Sequence, residues 1–381
     1  MREMTVAALG DLHLCEDRLA EQAPVLAWIA KGIEAARPDL IFVAGDLSGR
    51  TVPHRATPAE RNALVSFLVG LPAVPRIVVR GNHDTPGDWE FLNRLPDCYY
   101  AESPVYLPFA STVALPWVDR VRGEDHADLV QHRYTAALDE ALAVSAWKAR
   151  PLVLGHAALV GAKVSASWSG PTADPMIPVG LLPTCIAAFG HYHLPQRLPA
   201  SRSGSQAFYV GSPFVWHYGE PCTGRGWLLL HRRADGEWTG AMMGAPVDLW
   251  VPRVLLRVRG GKVVASAGTP AGLDLIGDDP GRLPPGLGHV RLVVEAEDEA
   301  AAERAAALWR PALAEVARTV QVVAKVPRAA TVRAGAEAVA AAPSLGEKMS
   351  RFWDGLDPPP SRKNRERATD LLAELAKEAE A

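Results

Sequence analysis

The sequence predicts an α/β fold in which two sheets face each other with helices outside, followed by a small α+β domain and a helical C-terminal segment. Three observations carry this expectation. Short apolar runs alternate with amphipathic stretches over residues 1–245, five of those runs end in Asp, Asn or His, and the pattern changes character near residue 251. The domains expected are therefore 1–245, 251–330 and 340–381.

The first apolar run, residues 6–10, leads into Asp11-Leu12-His13. Residues 22–36 place Val25, Leu26, Trp28, Ile29 and Ile33 on one helical face, and the helix stops before Arg37-Pro38 because the residue preceding proline disfavours helical geometry. A strand over 40–44 then runs into Gly45-Asp46. A second helix over 58–71, with Leu64, Phe67 and Leu68 on one face, precedes the run Ile77-Val78-Val79 and the pentad Arg80-Gly81-Asn82-His83-Asp84. Further strands are expected at 106–107, 112–115, 152–154 (before Gly155-His156), 186–189 (before Gly190-His191-Tyr192-His193), 207–210 (before Gly211-Ser212-Pro213) and 226–231, with a helix over 128–148. Residues 164–178, rich in Ser, Gly and Pro, form a long loop between two of the His-bearing blocks.

In the small domain, strands over 254–258, 289–295 and 319–326 flank a helix over 298–318 that Pro311 kinks, and residues 268–288 lack periodicity. Ser344-Leu345-Gly346-Glu347 is a capping-box signature, after which Leu345, Met349, Phe352, Trp353 and Leu356 share one helical stripe. Pro358-Pro359-Pro360 forces an extended break, and a last helix over 364–379 carries Leu371, Leu372 and Leu375.

Composition bounds the function. With 48% hydrophobic and 22% charged residues the 381-residue chain is of ordinary globular type, and its formal net charge of -3 excludes a uniformly basic nucleic-acid coat while leaving room for a local basic groove. Cys15, Cys98, Cys185 and Cys222 show no CxxC spacing, so neither a structural zinc site nor a disulfide framework is expected. The reading is of reduced thiols in a cytoplasmic protein, with no secretion signal and no membrane partner.

The chemistry lies at the strand ends. An amide, imidazoles and carboxylates delivered by apolar strands must find a partner or a metal once water is excluded, and in open α/β sheets ligands bind beyond the carboxyl ends of strands. Asp11, His13, Asp46, Asn82, His156, His191 and His193 supply seven O and N ligands with no thiolate, which exceeds one tetrahedral zinc site and suits two divalent ions sharing a carboxylate. Such ion pairs, about 3.5–4 Å apart, clamp the attacking and leaving oxygens of an in-line phosphoryl displacement. In Asp11-x-His13 and His191-x-His193 the two-residue period turns both side chains to one face. His54, His126, His132, His217, His231 and His289 belong to no block and read as surface or packing residues, and Arg80 reads as a salt-bridge partner at a strand end. Among the tryptophans, Trp28, Trp147, Trp227 and Trp309 sit in regular elements as core, and Trp168 and Trp216 are the candidates for base stacking.

Taken in order, Asp11-x-His13, Gly45-Asp46, Gly81-Asn82-His83-Asp84, Gly155-His156 and Gly190-His191-x-His193 resemble the calcineurin-like metallophosphoesterase superfamily. The segment from Gly190 to Gln196, the run Tyr209-Val210-Gly211-Ser212-Pro213 with Gly219-Glu220, and Ala114-Leu115-Pro116-Trp117 further resemble the nuclease subunit of SbcC/SbcD-type double-strand-break repair complexes. The resemblance implies an αββα sandwich, one metal held by Asp11, His13 and His193, a second held by Asn82, His156 and His191, and Asp46 bridging. It implies Mn2+ as the usual ion, with Fe2+, Zn2+ or Mg2+ as alternatives. His83 and Asp84 are the catalytic residues it implies, His83 protonating the departing sugar oxygen or stabilising its charge and Asp84 orienting His83.

It also implies a DNA exonuclease and endonuclease with an SMC-like SbcC-type ATPase partner gripped by the C-terminal helices, a DNA-capping role for residues 251–330, and a homodimer as one permitted assembly. A second reading keeps the centre and changes the substrate to nucleotides or other small phosphate esters. A third, a non-catalytic assembly subunit, is disfavoured because a scaffold has no use for a full set of buried polar groups.

Overall fold

The computed structural model describes residues 2–49, 55–122, 124–143, 152–164, 174, 176–182, 185–198, 206–221, 224–270, 273–326, 345–354, 361 and 365. The chain runs through β1 (Met4–Leu9), α1 (Leu19–Ala36), β2 (Leu40–Val43), α2 (Pro58–Val69), β3 (Arg76–Val79), β4 (Cys98–Ala101), β5 (Val105–Leu107) and β6 (Thr112–Leu115). It continues with α3 (His126–Ala143), β7 (Leu152–His156), β8 (Ala158–Leu159), β9 (Met176–Ile177), β10 (Ile186–Gly190), β11 (Gln196–Arg197), β12 (Gln206–Tyr209), β13 (Gly226–Arg232) and β14 (Trp238–Gly244). Two six-stranded sheets result, in the orders β14-β13-β1-β2-β3-β4 and β11-β12-β10-β7-β6-β5.

Why two sheets face each other follows from the alternation of side chains along each strand. Val6 and Ala8 of β1, Leu40 and Phe42 of β2, and Ile77 and Val79 of β3 share one core with Ala114, Leu154, Ile186, Ala188 and Phe208 of the second sheet. The alternate residues, Ala7, Leu9, Ile41, Val43 and Val78, turn outward onto Val25, Ile29 and Ile33 of α1 and Leu64, Phe67 and Leu68 of α2. On the far side Val113, Leu115, Val153 and Ala187 meet Val130, Tyr134 and Leu138 of α3. Four layers, helix, sheet, sheet and helix, bury both faces of each sheet, as the expected αββα sandwich requires.

Local chemistry fixes the ends of the elements. α1 stops at Arg37, whose φ of 46° is left-handed and whose N–H donates to the Glu34 carbonyl. α2 starts on a full capping box, Thr57 Oγ1 accepting from Glu60 N and Glu60 Oε2 from Thr57 N. Strands β1, β2, β3 and β4 run parallel, as do β6, β7, β10 and β12, so the carboxyl ends of β1, β2, β3, β7 and β10 deliver their polar residues together. The helix expected over 128–148 ends at Ala143 among the described residues. The strand expected over 226–231 is β13, which pairs antiparallel with β1 and is followed by β14.

By mutual contact the chain divides into two compact units, residues 1–294 with 305–323, and residues 295–304 with 324–381. A four-stranded sheet, β16-β15-β17-β18, is built from β15 (Arg253–Arg259), β16 (Lys262–Ala267), β17 (Gly288–Glu295) and β18 (Ala317–Lys325), with α4 (Glu299–Val316) between the last two. In the first unit Trp309 is buried and its Nε1 donates to the Gly261 carbonyl. The second unit contains α5 (Leu345–Asp354), on which Arg351 pairs with Glu347 one turn back. The expected capping Ser344, the Pro358-Pro359-Pro360 break and the helix over 364–379 lie outside the described residues, apart from Arg365.

Candidate metal centre

The loops that leave β1 and β2 continue the parallel ladder past the strands. Asp11 N donates to Gly45 O at 3.0 Å and His13 N to Asp46 O at 2.8 Å, which sets the two blocks in register. Asp11, His13, Asp46 and His191 all have positive φ, 50°, 43°, 51° and 104°, and they are four of the seven non-glycine residues in that region among the described residues. Backbone strain thus gathers where side chains must be aimed, as it does at functional sites. The block glycines have a related cause. A Cβ on Gly81 would collide with the Asp46 carboxylate, and one on Gly190 would collide with the Ala44 carbonyl oxygen and the His156 ring.

All seven expected ligands converge, in two half-sites. In one, His13 Nε2 and His193 Nε2 lie 3.2 Å apart, and an atom from each of Asp11, His13 and His193 falls within a 4.8 Å cluster. In the other, Asn82 Oδ1 is 2.8 Å from His156 Nε2 and 2.9 Å from His191 Nδ1. Between them Asp46 Oδ2 stands 3.4 Å from His13 Nε2 and 3.5 Å from His156 Nε2, the position a bridging carboxylate needs.

The proton inventory tests whether these residues fit cations. His13 Nδ1 donates to Gly49 O at 2.8 Å and His156 Nδ1 to Ala44 O at 2.6 Å, so in the neutral ring each Nε2 is a bare lone pair. Burial pushes the His13 imidazole down to about 3 and the His156 imidazole down to about 4, which keeps both neutral at pH 7. His191 Nε2 faces Asp174 Oδ2 at 3.2 Å, leaving its Nδ1 as the lone pair, and His193 Nδ1 faces Glu220 Oε1 at 3.6 Å. In the Asn82 half-site, and in the His13 half-site when His193 carries its proton on Nδ1, acceptors therefore stand at contact distance with no proton between them. Lone pairs so placed repel unless a cation sits among them.

The carboxylates agree. Asp11 Oδ2 is buried without a hydrogen-bond partner, and burial together with the Asp46 charge raises the Asp11 carboxyl well above its usual range. Oxygen and imidazole donors without thiolate suit hard or borderline divalent ions.

The neighbours of the ligands hold them in place. Ser212 Oγ donates to Asp11 O at 2.8 Å, and His83 N donates to Asp46 Oδ1 at 2.9 Å. Burial alone would raise the Glu220 carboxyl, but His193, Arg225 and the Trp216 amide outweigh it and hold the group at about 2. Asp84 does not orient His83 as the sequence suggested. Its Oδ1 accepts from Leu47 N and Ser48 N and its Oδ2 from Gly81 N, so it fixes the backbone of two ligand-bearing loops. Burial, then the Asp46 charge, lifts its carboxyl to about 7 against those three amides. His83 Nδ1 is buried and has no partner, and burial lowers the pKa of the ring.

Arg80 is a salt-bridge residue as expected, bonded to Asp119 Oδ2 and Trp117 O, both at 2.8 Å. One face of the Trp216 ring is covered by the Arg18 guanidinium at 4.2 Å, and the ring makes a T-shaped contact with His13, centroids 5.3 Å apart. Trp168 lies outside the described residues. Three residues carried no assigned role in the sequence. Trp117 stacks on His191 at 5.1 Å, and Asp174 and Glu220 face the outer nitrogens of His191 and His193. Glu220 stood in a recognisable run beside Gly219, whereas Asp174 lies in a Ser-, Gly- and Pro-rich stretch with no periodicity to mark it.

An αββα sandwich whose parallel strand ends gather seven O and N donors into two half-sites around a shared carboxylate has the arrangement of a metallohydrolase site. The chain matches the family described as calcineurin-like phosphoesterase over residues 4–194, half of its length, and it belongs to that family. None of the curated proteins compared with it matches. Among solved structures it is similar to GAP50, the anchor in the inner membrane complex of Plasmodium, at 13% identity and a TM-score of 0.44 over 86% of this chain and 98% of that one. The protein is thus a metal-dependent phosphoesterase. No described helix is long and apolar enough to cross a membrane.

Proposed function

We propose that this phosphoesterase is the nuclease subunit of an SbcC/SbcD-type complex, a Mn2+-dependent DNA exonuclease and endonuclease of the cytoplasm. One observation carries the choice of DNA over a small ester. The loop after β12 that borders His193 is bound to the added four-stranded sheet, Gly219 N donating to Arg253 O at 2.8 Å and Arg253 Nε to Val215 O at 3.2 Å. His289 Nε2 meets Glu21 of α1 at 2.8 Å, and Arg291 stacks on Tyr218 at 4.3 Å. A cavity of about 330 Å³ lies there, lined by residues that include His217, Tyr218, Glu220, Leu255 and Ala267. A small ester needs no such second wall, whereas a polymer extends past the scissile bond.

Two divalent ions at the half-sites supply Lewis-acid stabilisation of charge on the phosphoryl group and lower the pKa of a water nucleophile. Asp11, His13 and His193 would hold one, Asn82, His156 and His191 the other, with Asp46 placed to serve either. His83, whose Nδ1 is unengaged, protonates the departing sugar oxygen or stabilises its charge. Asp84 keeps the Gly81 and Leu47 amides, and so the loops of Asn82 and Asp46, in place. α5 and the residues that follow it would dock an SMC-like ATPase, α5 by an apolar stripe that includes Met349, Phe352 and Trp353.

The net charge of -3 favours the small-ester reading. Incubation with Mn2+ and labelled linear and hairpin DNA separates the two. Cleavage by wild type and not by His83→Ala is expected, and hydrolysis of a chromogenic phosphodiester without any cut in DNA would overturn the nuclease assignment.

A further inference from the structure

Four imidazoles face the centre, and in each the outward ring nitrogen meets an acceptor. For His13 and His156 that acceptor is a backbone carbonyl, of Gly49 and of Ala44, fixed by the sandwich itself. For His193 it is a side chain, the Glu220 carboxylate. We propose that Glu220 is a positioning residue that holds His193 with its proton on Nδ1 and its Nε2 lone pair aimed at the Asp11 and His13 half-site, so that cation affinity at this half-site depends on Glu220. The inference rests on the dinuclear reading and is independent of which phosphoester is cleaved.

The geometry behind Glu220 is that of a braced arm. Its Oε2 accepts from Arg225 Nη2 at 3.0 Å and from Trp216 N at 2.8 Å, which leaves Oε1 toward His193 Nδ1 at 3.6 Å. Arg225, only 2% exposed, also donates to the carbonyls of Ser212, Phe214 and Pro221, binding the whole turn together. The same turn supplies Ser212 Oγ to the Asp11 carbonyl, so one segment supports two ligands of one half-site. The His217 ring lies flat against His193, 5.7 Å away and tilted by 7°, which restricts rotation of the imidazole. A carboxylate on the outer N–H of a ligand histidine fixes its tautomer and raises the basicity of the inner nitrogen. A packing role would need only the shape of the side chain, not its charge.

The test is calorimetric titration of Mn2+ into the metal-free full chain for wild type, Glu220→Gln and Glu220→Leu, with unfolding in EDTA as the check on folding. Wild type is expected to take up two ions. In both variants one ion should bind as in wild type and the other about 10- to 100-fold more weakly, with Leu weaker than Gln because Gln keeps an acceptor. A second measurement needs no variant of Glu220: in 15N-histidine spectra of the metal-free wild type, the His193 signal, assigned by its loss in His193→Gln, should report a proton on Nδ1. Two ions at wild-type affinity in folded Glu220→Leu, or a proton on Nε2 of His193 in wild type, would overturn the proposal while leaving the centre intact. Wild type that takes up no ion would remove the centre and the proposal together.

Discussion

His83 differs from the four ligand imidazoles in what holds it. Their outward nitrogens meet carbonyls or carboxylates, but His83 Nδ1 has no partner, and the residue is tied to the site by its backbone N–H on Asp46. A ring so placed is free to exchange a proton without disturbing the ligands. His83→Ala should therefore keep uptake of two ions while kcat for phosphodiester hydrolysis falls about 10²- to 10⁴-fold, the usual worth of general acid–base catalysis. Loss of ion uptake in that variant would instead make His83 a structural residue. Gly190→Ala should do the reverse of a catalytic lesion: its Cβ collides with the Ala44 carbonyl and the His156 ring, so divalent-ion affinity and thermal stability should fall together. At this scale the convergence of these side chains was legible, because each stood at the end of an apolar run. The braces were not, since Glu220 and Asp174 reach their histidines through folding rather than spacing, and Asp84 sits beside His83 in sequence while its carboxylate turns to the amides of Leu47, Ser48 and Gly81.

At the scale of elements, the buried parallel strands announced themselves as apolar runs, and the strands that escaped notice lie mostly at sheet edges. β14 has one buried residue and five exposed among its seven, so its sequence lacks an apolar stripe, and its place is set by pairing with β13. β16 follows β15 through Gly260-Gly261, both at positive φ, a two-residue hairpin turn whose Gly-Gly signal was available in the sequence. β4 carries Cys98, Tyr99 and Tyr100 after an irregular stretch and gains its order from β3.

Between elements, α1 meets the added sheet through Glu21, which binds both Arg18 and His289. Burial alone would raise the Glu21 carboxyl, and the two partners outweigh it to leave a depressed pKa. A depressed carboxylate stabilises the fold above its unfolded pKa, about 4.3, and loses that contribution as pH falls through the folded value. Glu21→Gln should thus lower stability at pH 7 by about 0.5–1 kcal/mol, read as a lower urea midpoint, with the difference shrinking below pH 4. A difference that is the same at pH 7 and below pH 4 would show that charge at Glu21 does not hold the contact.

For the molecule as a whole, the family match ends at residue 194, yet the centre draws on residues beyond it. Ser212, Glu220 and Arg225 brace the half-site of Asp11, His13 and His193, and β13 closes the first sheet beside β1. Truncation near residue 200 should therefore cost metal uptake as well as stability, which a comparison of ion binding in the short and full chains would read. The proposed chemistry requires two cations that share Asp46. Anomalous scattering from crystals of the full chain soaked with Mn2+ tests it directly. Two peaks are expected, one among Asp11, His13 and His193 and one among Asn82, His156 and His191, with Asp46 contacting both. A single peak, or ions bound elsewhere with these side chains empty, would contradict it.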